Sequence, residues 1–200
     1  MIVGILLCGG AGRRFGVDKL LAGDEPIAAL AARSLVAGAG NALAVIPLKR
    51  PRLRVVLEAE GCAILESDRT PEGMGASLAV AIAATATAGG WIIALGDMPL
   101  VDAKTIASIR QALERGAPMA APFDRAGRRG HPVGFSAALR AELLELGGDV
   151  GARDLLARHA HMLERIVTDD PGIFVDIDTK EDLEDLGGRG APQGSSQGAT

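Results

Sequence analysis

Ile2-Val3-Gly4-Ile5-Leu6-Leu7-Cys8-Gly9-Gly10-Ala11-Gly12-Arg13-Arg14-Phe15-Gly16-Val17-Asp18-Lys19-Leu20-Leu21 runs from an unbroken apolar stretch into a glycine-rich turn with two arginines and a lysine behind it. The first part is the apolar run of a strand. The turn exposes backbone N–H groups that wrap an anion, because glycine accepts positive φ and close approach of a ligand. Arg13, Arg14 and Lys19 add forked or mobile positive charge beside it. That combination suits a polyphosphate. Two better-known phosphate loops are excluded. Lys19 is followed by Leu20 and has no glycine before it, so the P-loop pattern fails. Phe15 stands where the dinucleotide fingerprint needs its third small residue, and two arginines would crowd the helix start where a pyrophosphate sits.

Working outward, short apolar runs alternate with helical patterns, the rhythm of βαβ units in a mainly parallel sheet. Strands are predicted at Ile2–Leu7, Ala42–Ile46, Cys62–Glu66, Trp91–Leu95, Met119–Ala121, Pro132–Phe135 and Ile173–Ile177. Helices are predicted at Pro26–Ala37, Ala76–Thr87, Ala103–Arg115, Ala137–Leu146, Ala152–Ala160 and Lys180–Leu186. Arg52–Glu60 fits either state, since Leu53, Val56 and Leu57 suit a helix and Leu53, Val55 and Leu57 a strand. The crossover rule favours the helix. Asp102 is a good helix N-cap, and Thr179-Lys180-Glu181-Asp182 has the shape of a capping box. One ordered domain is expected over residues 1–186. Residues 187–200 are rich in Gly, Ser and Gln and are expected to be a disordered tail.

Composition narrows the function. With 200 residues and 48% hydrophobic content, one α/β domain can fill a core. A net charge of −4 argues against a general nucleic-acid binder, and one Trp, four Phe and no Tyr leave little for base stacking. No stretch reaches the roughly 18 uninterrupted apolar residues of a membrane span. Two cysteines and no secretory pattern at the N-terminus lead us to expect a cytoplasmic protein.

Carboxylates mark the far side of the presumed anion. Trp91–Leu95 ends in Gly96-Asp97-Met98-Pro99, which puts Asp97 at the carboxyl edge of a buried strand, where open α/β sheets bind ligands. Asp97 is either a turn residue bonding its own backbone or a ligand for a cation. Asp176 and Asp178 alternate in Phe174-Val175-Asp176-Ile177-Asp178-Thr179, so they share one face of an extended segment. Either joins Asp97 in holding Mg2+, or Asp178 only caps the following helix. Gly73-Met74-Gly75-Ala76-Ser77 enters a helix with free N–H groups and a hydroxyl, or is a simple turn. His131, in Gly130-His131-Pro132-Val133, either binds substrate phosphate or is a local hydrogen-bonding group. Asp149, in Gly147-Gly148-Asp149-Val150-Gly151-Ala152-Arg153, is a cap or a substrate contact. His159 and His161, two apart, do not face each other on a helix and make no metal pair.

Taken in order, these segments resemble the nucleotidyltransferases of molybdenum-cofactor maturation, within the glycosyltransferase-A-like nucleotidyltransferase group. The resemblance spans Ile2 to about Leu186 and rests on Leu7-Cys8-Gly9-Gly10 through Lys19, Gly73-Met74-Gly75-Ala76-Ser77, Gly96-Asp97-Met98-Pro99, Gly130-His131-Pro132-Val133, Gly148-Asp149-Val150-Gly151-Ala152-Arg153 and Asp176-Ile177-Asp178-Thr179. It implies a Rossmann-like three-layer α/β/α sandwich. It also implies transfer of a nucleotidyl group from a nucleoside triphosphate to molybdopterin cofactor, with a molybdoenzyme receiving the product and Mg2+ as cofactor. The later segments are similar to the cytidylyl-transferring branch, whereas Gly9 is closer to the guanylyl branch; CTP is favoured and GTP is its rival. The implied catalytic residues are Lys19, Arg13 and Asp97, with metal on Asp97 and Asp178. The implied nucleotide site is Leu7, Cys8, Gly9, Gly10, Gly12, Arg14, Lys19, Gly73, Met74, Gly75, Ser77 and Asp97, and the acceptor side is His131 and Asp149. Rival functions are nucleotidyl transfer to another phosphorylated small molecule, such as a sugar phosphate, and a chaperone that binds the cofactor without making it.

Overall fold

The computed structural model describes residues 1–9, 18–149 and 151–189. Gly10, Gly12, Arg13 and Arg14 lie outside the described residues, as does the expected tail from residue 190.

Strand β1 (Ile2–Leu7) is central. It pairs in parallel with β2 (Ala42–Pro47) on one side and with β4 (Gly90–Leu95) on the other. Beyond β2 lies β3 (Ala63–Ser67), also parallel. Beyond β4 come β6 (Val133–Ser136), β5 (Met119–Phe123) and β7 (Leu163–Val167), giving the order β3-β2-β1-β4-β6-β5-β7. Only β6 runs antiparallel to its neighbours. The direction of winding reverses between β1 and β4, which creates a crevice at their carboxyl ends. Leu7 pairs with Leu95, so both strands stop at the same level.

Alternation along the central strands builds two cores. Ile2 and Leu6 of β1 and Ile92 of β4 point into one, with helices α1 (Ile27–Ala39), α2 (Pro51–Ala59) and α4 (Ala103–Glu114). Val3, Ile5 and Leu7 of β1 and Trp91 and Ile93 of β4 point into the other, with α3 (Met74–Ala84), α5 (Arg140–Leu144) and α6 (Arg153–Arg158). The result is the three-layer α/β/α arrangement expected from the sequence. Each fully buried large side chain here contributes about 1.5–3 kcal/mol relative to exposure. Gly38 lets α1 and α4 touch: a Cβ there would lie 2.5 Å from Ile106 Cβ and 2.6 Å from the Ala103 carbonyl oxygen.

The ambiguous segment is helix α2. Leu53 and Leu57, one turn apart, are both fully buried, while Val55 is 64% exposed. The Asp102 side chain caps α4 by accepting from the Lys104 N–H at 2.8 Å. Thr179 and Asp182 form the reciprocal capping box of α7 (Lys180–Arg189), which extends past Leu186.

One predicted strand needs correction, and one strand went unpredicted. Ile173–Ile177 is not a strand. Pro171–Phe174 forms a single tight turn, closed by Asp170 accepting from the Gly172 N–H, and the chain then crosses the carboxyl ends of the strands. It is tied down by single hydrogen bonds from the His131 N–H to the Ile173 carbonyl (2.9 Å) and from the Ile177 N–H to the Asp97 carbonyl (2.9 Å). Ile177 is buried against Ile27. Pro171 has no N–H for a ladder and fixes φ for the turn. The missing strand is Leu163–Val167 at the sheet edge. Its Leu163-Glu164-Arg165-Ile166-Val167 pattern is half-exposed and charged, as suits an edge, so its apolar signal is weak.

Candidate active site

Lys19 stands on a short turn, Lys19–Leu21, anchored by buried Leu20, and its side chain is only 11% exposed. Its ammonium donates to Asp97 Oδ2 at 2.9 Å and to Asp178 Oδ1 at 2.8 Å. Asp97 is held at the end of β4 because Gly96 N–H bonds the Leu7 carbonyl and Met98 N–H closes the turn onto the Leu95 carbonyl. Asp178 arrives on the crossing segment, fixed by Ile177 N–H on the Asp97 carbonyl and by its own N–H on Asp182. Three distant stretches therefore converge on one cation position. Burial works against the Lys19 charge, yet its hydrogen bonds to Asp178 and Asp97 hold its pKa above the ordinary lysine range.

Asp176 belongs to the same acidic cluster. Burial, with the nearby charges of Asp178 and Asp97, raises its pKa above the usual carboxylate range. Among the described residues no set of three His, Cys, Asp or Glu side chains converges as metal ligands. Asp97 and Asp178 form a pair, with the Lys19 ammonium between them.

The glycine segments meet at the crevice. Gly9 follows β1, and a Cβ on it would lie 3.2 Å from Ser77 Oγ, so the β1 turn and the start of α3 are in contact. Gly73, with φ +125°, leads into α3; a Cβ there would collide with Gly148 and the Asp149 carboxylate. Two donors of this segment bond within the protein. Gly75 N–H bonds the Gly148 carbonyl at 2.8 Å, and the Ser77 hydroxyl donates to the Gly73 carbonyl at 3.0 Å. Cys8 is buried, and burial pushes its thiol far above the usual range, so it is inert packing at the crevice floor.

Beside Asp97, on the β6 side, lies a cavity of about 160 Å3. Leu7, Ile93, Leu95 and Phe135 form part of its floor, and Arg129, His131, Asp149 and Arg153 its polar wall. Leu7 and Met74, expected on the nucleotide side, line this cavity together with His131 and Asp149, expected on the acceptor side. His131 Nδ1 is buried with no hydrogen-bond partner among the described residues. Burial first, and the Arg129 charge second, push its pKa down, so the ring is neutral near pH 7. Arg129 and Arg153 went unassigned at the sequence level; Arg153 sits in a glycine-rich segment and Arg129 just before Gly130, and no spacing rule joins them.

Residues 4–163 match the family described as the MobA-like NTP transferase domain. Among solved structures, the chain is similar to Rv0371c from Mycobacterium tuberculosis H37Rv, at 25% identity and TM-score 0.80, with 92% of this chain and 96% of that one covered. It is also similar to the Rv0371c homologue from Mycobacterium sp. strain JC1, at 29% identity and TM-score 0.74, covering 92% and 94%. A third structure is Rv0371c in complex with manganese, at 23% identity and TM-score 0.74, covering 92% and 97%. No curated protein matches the chain. Among the described residues no helix is long and apolar enough to cross a membrane.

Proposed function

This chain belongs to the MobA-like NTP transferase family, and from that premise we propose that it transfers CMP from CTP to molybdopterin cofactor, releasing pyrophosphate. The observation that carries the reading is the Lys19 ammonium bridging Asp97 and Asp178 at the carboxyl ends of β1 and β4. A simple binding module needs no such assembly of cation and carboxylates. A triphosphate donor needs both signs of charge.

The acceptor's terminal phosphate attacks the α-phosphorus in line with the departing pyrophosphate. One P–O bond forms as the bond to the β-phosphate breaks, and pyrophosphate leaves with the electron pair. A phosphate monoester is largely dianionic at pH 7, its second pKa being about 6, so no general base is required. Catalysis then comes from positioning and charge neutralisation. Lys19, with Arg13 or Arg14, clamps the β- and γ-phosphates. Gly9, Gly10, Gly12 and Gly73–Ser77 surround the nucleoside. His131 and Asp149 face the acceptor.

The donor set fits a hard divalent cation. Two carboxylate oxygens converge on one cation position, and Mg2+ is commonly held by one or two carboxylates plus substrate phosphates. Asp97 and Asp178 would hold it, and when bound it neutralises phosphate oxygens and the leaving pyrophosphate.

Gly9 is the residue that brings GTP into question. A Cβ at this position would press on Ser77 Oγ, so packing alone is a reason for glycine and CTP stays the favoured donor. The test is pyrophosphate release with each nucleoside triphosphate, with and without molybdopterin cofactor. Release with CTP only when the cofactor is present supports the proposal. GTP dependence reassigns the donor, and release with a sugar phosphate alone reassigns the acceptor.

A further inference from the structure

We propose that Arg129 and Arg153 form the subsite for the phosphate group of the acceptor, with the apolar floor of their shared cavity receiving its ring body. The inference rests on the transferase reading above and adds residues to it.

The first observation is charge without a partner. Arg33, Arg50, Arg54, Arg69, Arg115 and Arg125 each hold a carboxylate. Arg129 and Arg153 line one cavity and, among the described residues, hold none. Two guanidiniums at one cavity repel, and burial together with the Arg153 charge lowers the Arg129 pKa. An anion between them relieves that repulsion. Guanidinium matches a phosphate's geometry with paired N–H donors.

The second observation is the orphaned polar atom. His131 Nδ1 is buried and unpartnered at the same wall. A buried polar group without a partner costs free energy, so a ligand that supplies one gains by binding here. Asp149 is the single carboxylate of the lining, which leaves the two-arginine wall with a net positive charge.

The third observation is position and shape. The cavity reaches Leu95, two residues before Asp97, yet Lys19, Asp97 and Asp178 are not among its walls. It therefore adjoins the cation centre without including its charged side chains, and it shares Leu7 and Met74 with the nucleotide side, so an acceptor held here would lie against the bound donor. Its floor of Leu7, Ile93, Leu95, Val133 and Phe135 offers nothing to the hydroxyls of a sugar and suits a flat, largely apolar ring.

Calorimetry with 6-hydroxymethylpterin monophosphate and its unphosphorylated parent tests this on the whole chain. The wild type is expected to bind the phosphorylated form about tenfold or more tightly. In the double variant Arg129→Gln, Arg153→Gln that preference falls to about twofold or less, while affinity for CTP and for pyrophosphate stays within about twofold. Arg129→Lys, Arg153→Lys is expected to keep part of the preference, which separates charge from misfolding. No preference in the wild type, an unchanged preference in the glutamine variant, or a tenfold loss of CTP or pyrophosphate affinity each overturns the proposal. Absence of pyrophosphate release with every donor and acceptor would defeat the transferase reading instead, and the binding ratio would still decide this one.

Discussion

Lys19 Nζ lies 2.9 Å from Asp97 Oδ2, although 78 residues separate them, and the same ammonium meets Asp178 at 2.8 Å. A lysine only 11% exposed thus bridges two carboxylates that are 29% and 57% exposed and offsets one of their two charges. The ammonium sits between the two carboxylates. The function proposed above implies that a bound metal–triphosphate complex draws Lys19 from the carboxylates to the phosphates, an exchange of one cation for another.

Lys19→Met tests that exchange. Pyrophosphate release is expected to fall about 100-fold or more, the scale of losing one preorganised charge at a developing anion. A rate within a few-fold of wild type would remove Lys19 from the phosphate clamp.

Asp97→Asn keeps the shape of the turn and removes the carboxylate. Turnover should fall about 100-fold, while folding stability changes by about 1 kcal/mol, since Lys19 keeps Asp178 and the pair is partly solvated. Parallel urea melts and pyrophosphate assays separate the two effects. A loss of stability matching the loss of activity would make Asp97 structural.

Chelation gives an independent check on the same carboxylates. EDTA should abolish pyrophosphate release, and added Mg2+ or Mn2+ should restore it, because hard oxygen donors accept either ion. Full activity in EDTA would exclude the metal reading of Asp97 and Asp178.

Gly73→Ala addresses the junction between α3 and the 147–149 loop. Positive φ and the collision with Gly148 and Asp149 should cost about 1–3 kcal/mol. A wild-type melting curve would show that the loop moves aside freely.

His131 supplies a pH signature. Its pKa is depressed in the folded protein by burial and by Arg129, so the unfolded chain binds the proton more readily. Stability is complete above the unfolded value of about 6.5 and declines as pH falls through the folded value. His131→Gln should flatten that decline in urea melts from pH 7.5 to 5. An unchanged slope would show that His131 is not its source.

Period and punctuation were enough for most local structure. The unbroken apolar runs of Ile2–Leu7 and Trp91–Leu95 suit buried strands, and the helices between them fit parallel crossovers. Asp97 was recognisable because its position follows from where its strand stops. The edge strand Leu163–Val167 was not recognisable, since half-exposure dilutes its pattern, and Ile173–Ile177 looked like a strand because β-branched residues also suit an extended strap.

What the sequence determined by itself is therefore local: the alternation of elements, and which chemical groups stand at their ends. The tertiary structure alone decided which of those groups meet. Lys19 and Asp178 are 159 residues apart, and Arg129 and Arg153 come from different segments, so no periodicity relates them. Strand order brings β1 and β4 side by side, and the crossing segment is laid over their ends by hydrogen bonds to Asp97 and His131. Those pairings minimise the free energy of the whole sheet, and residue spacing carries no record of it.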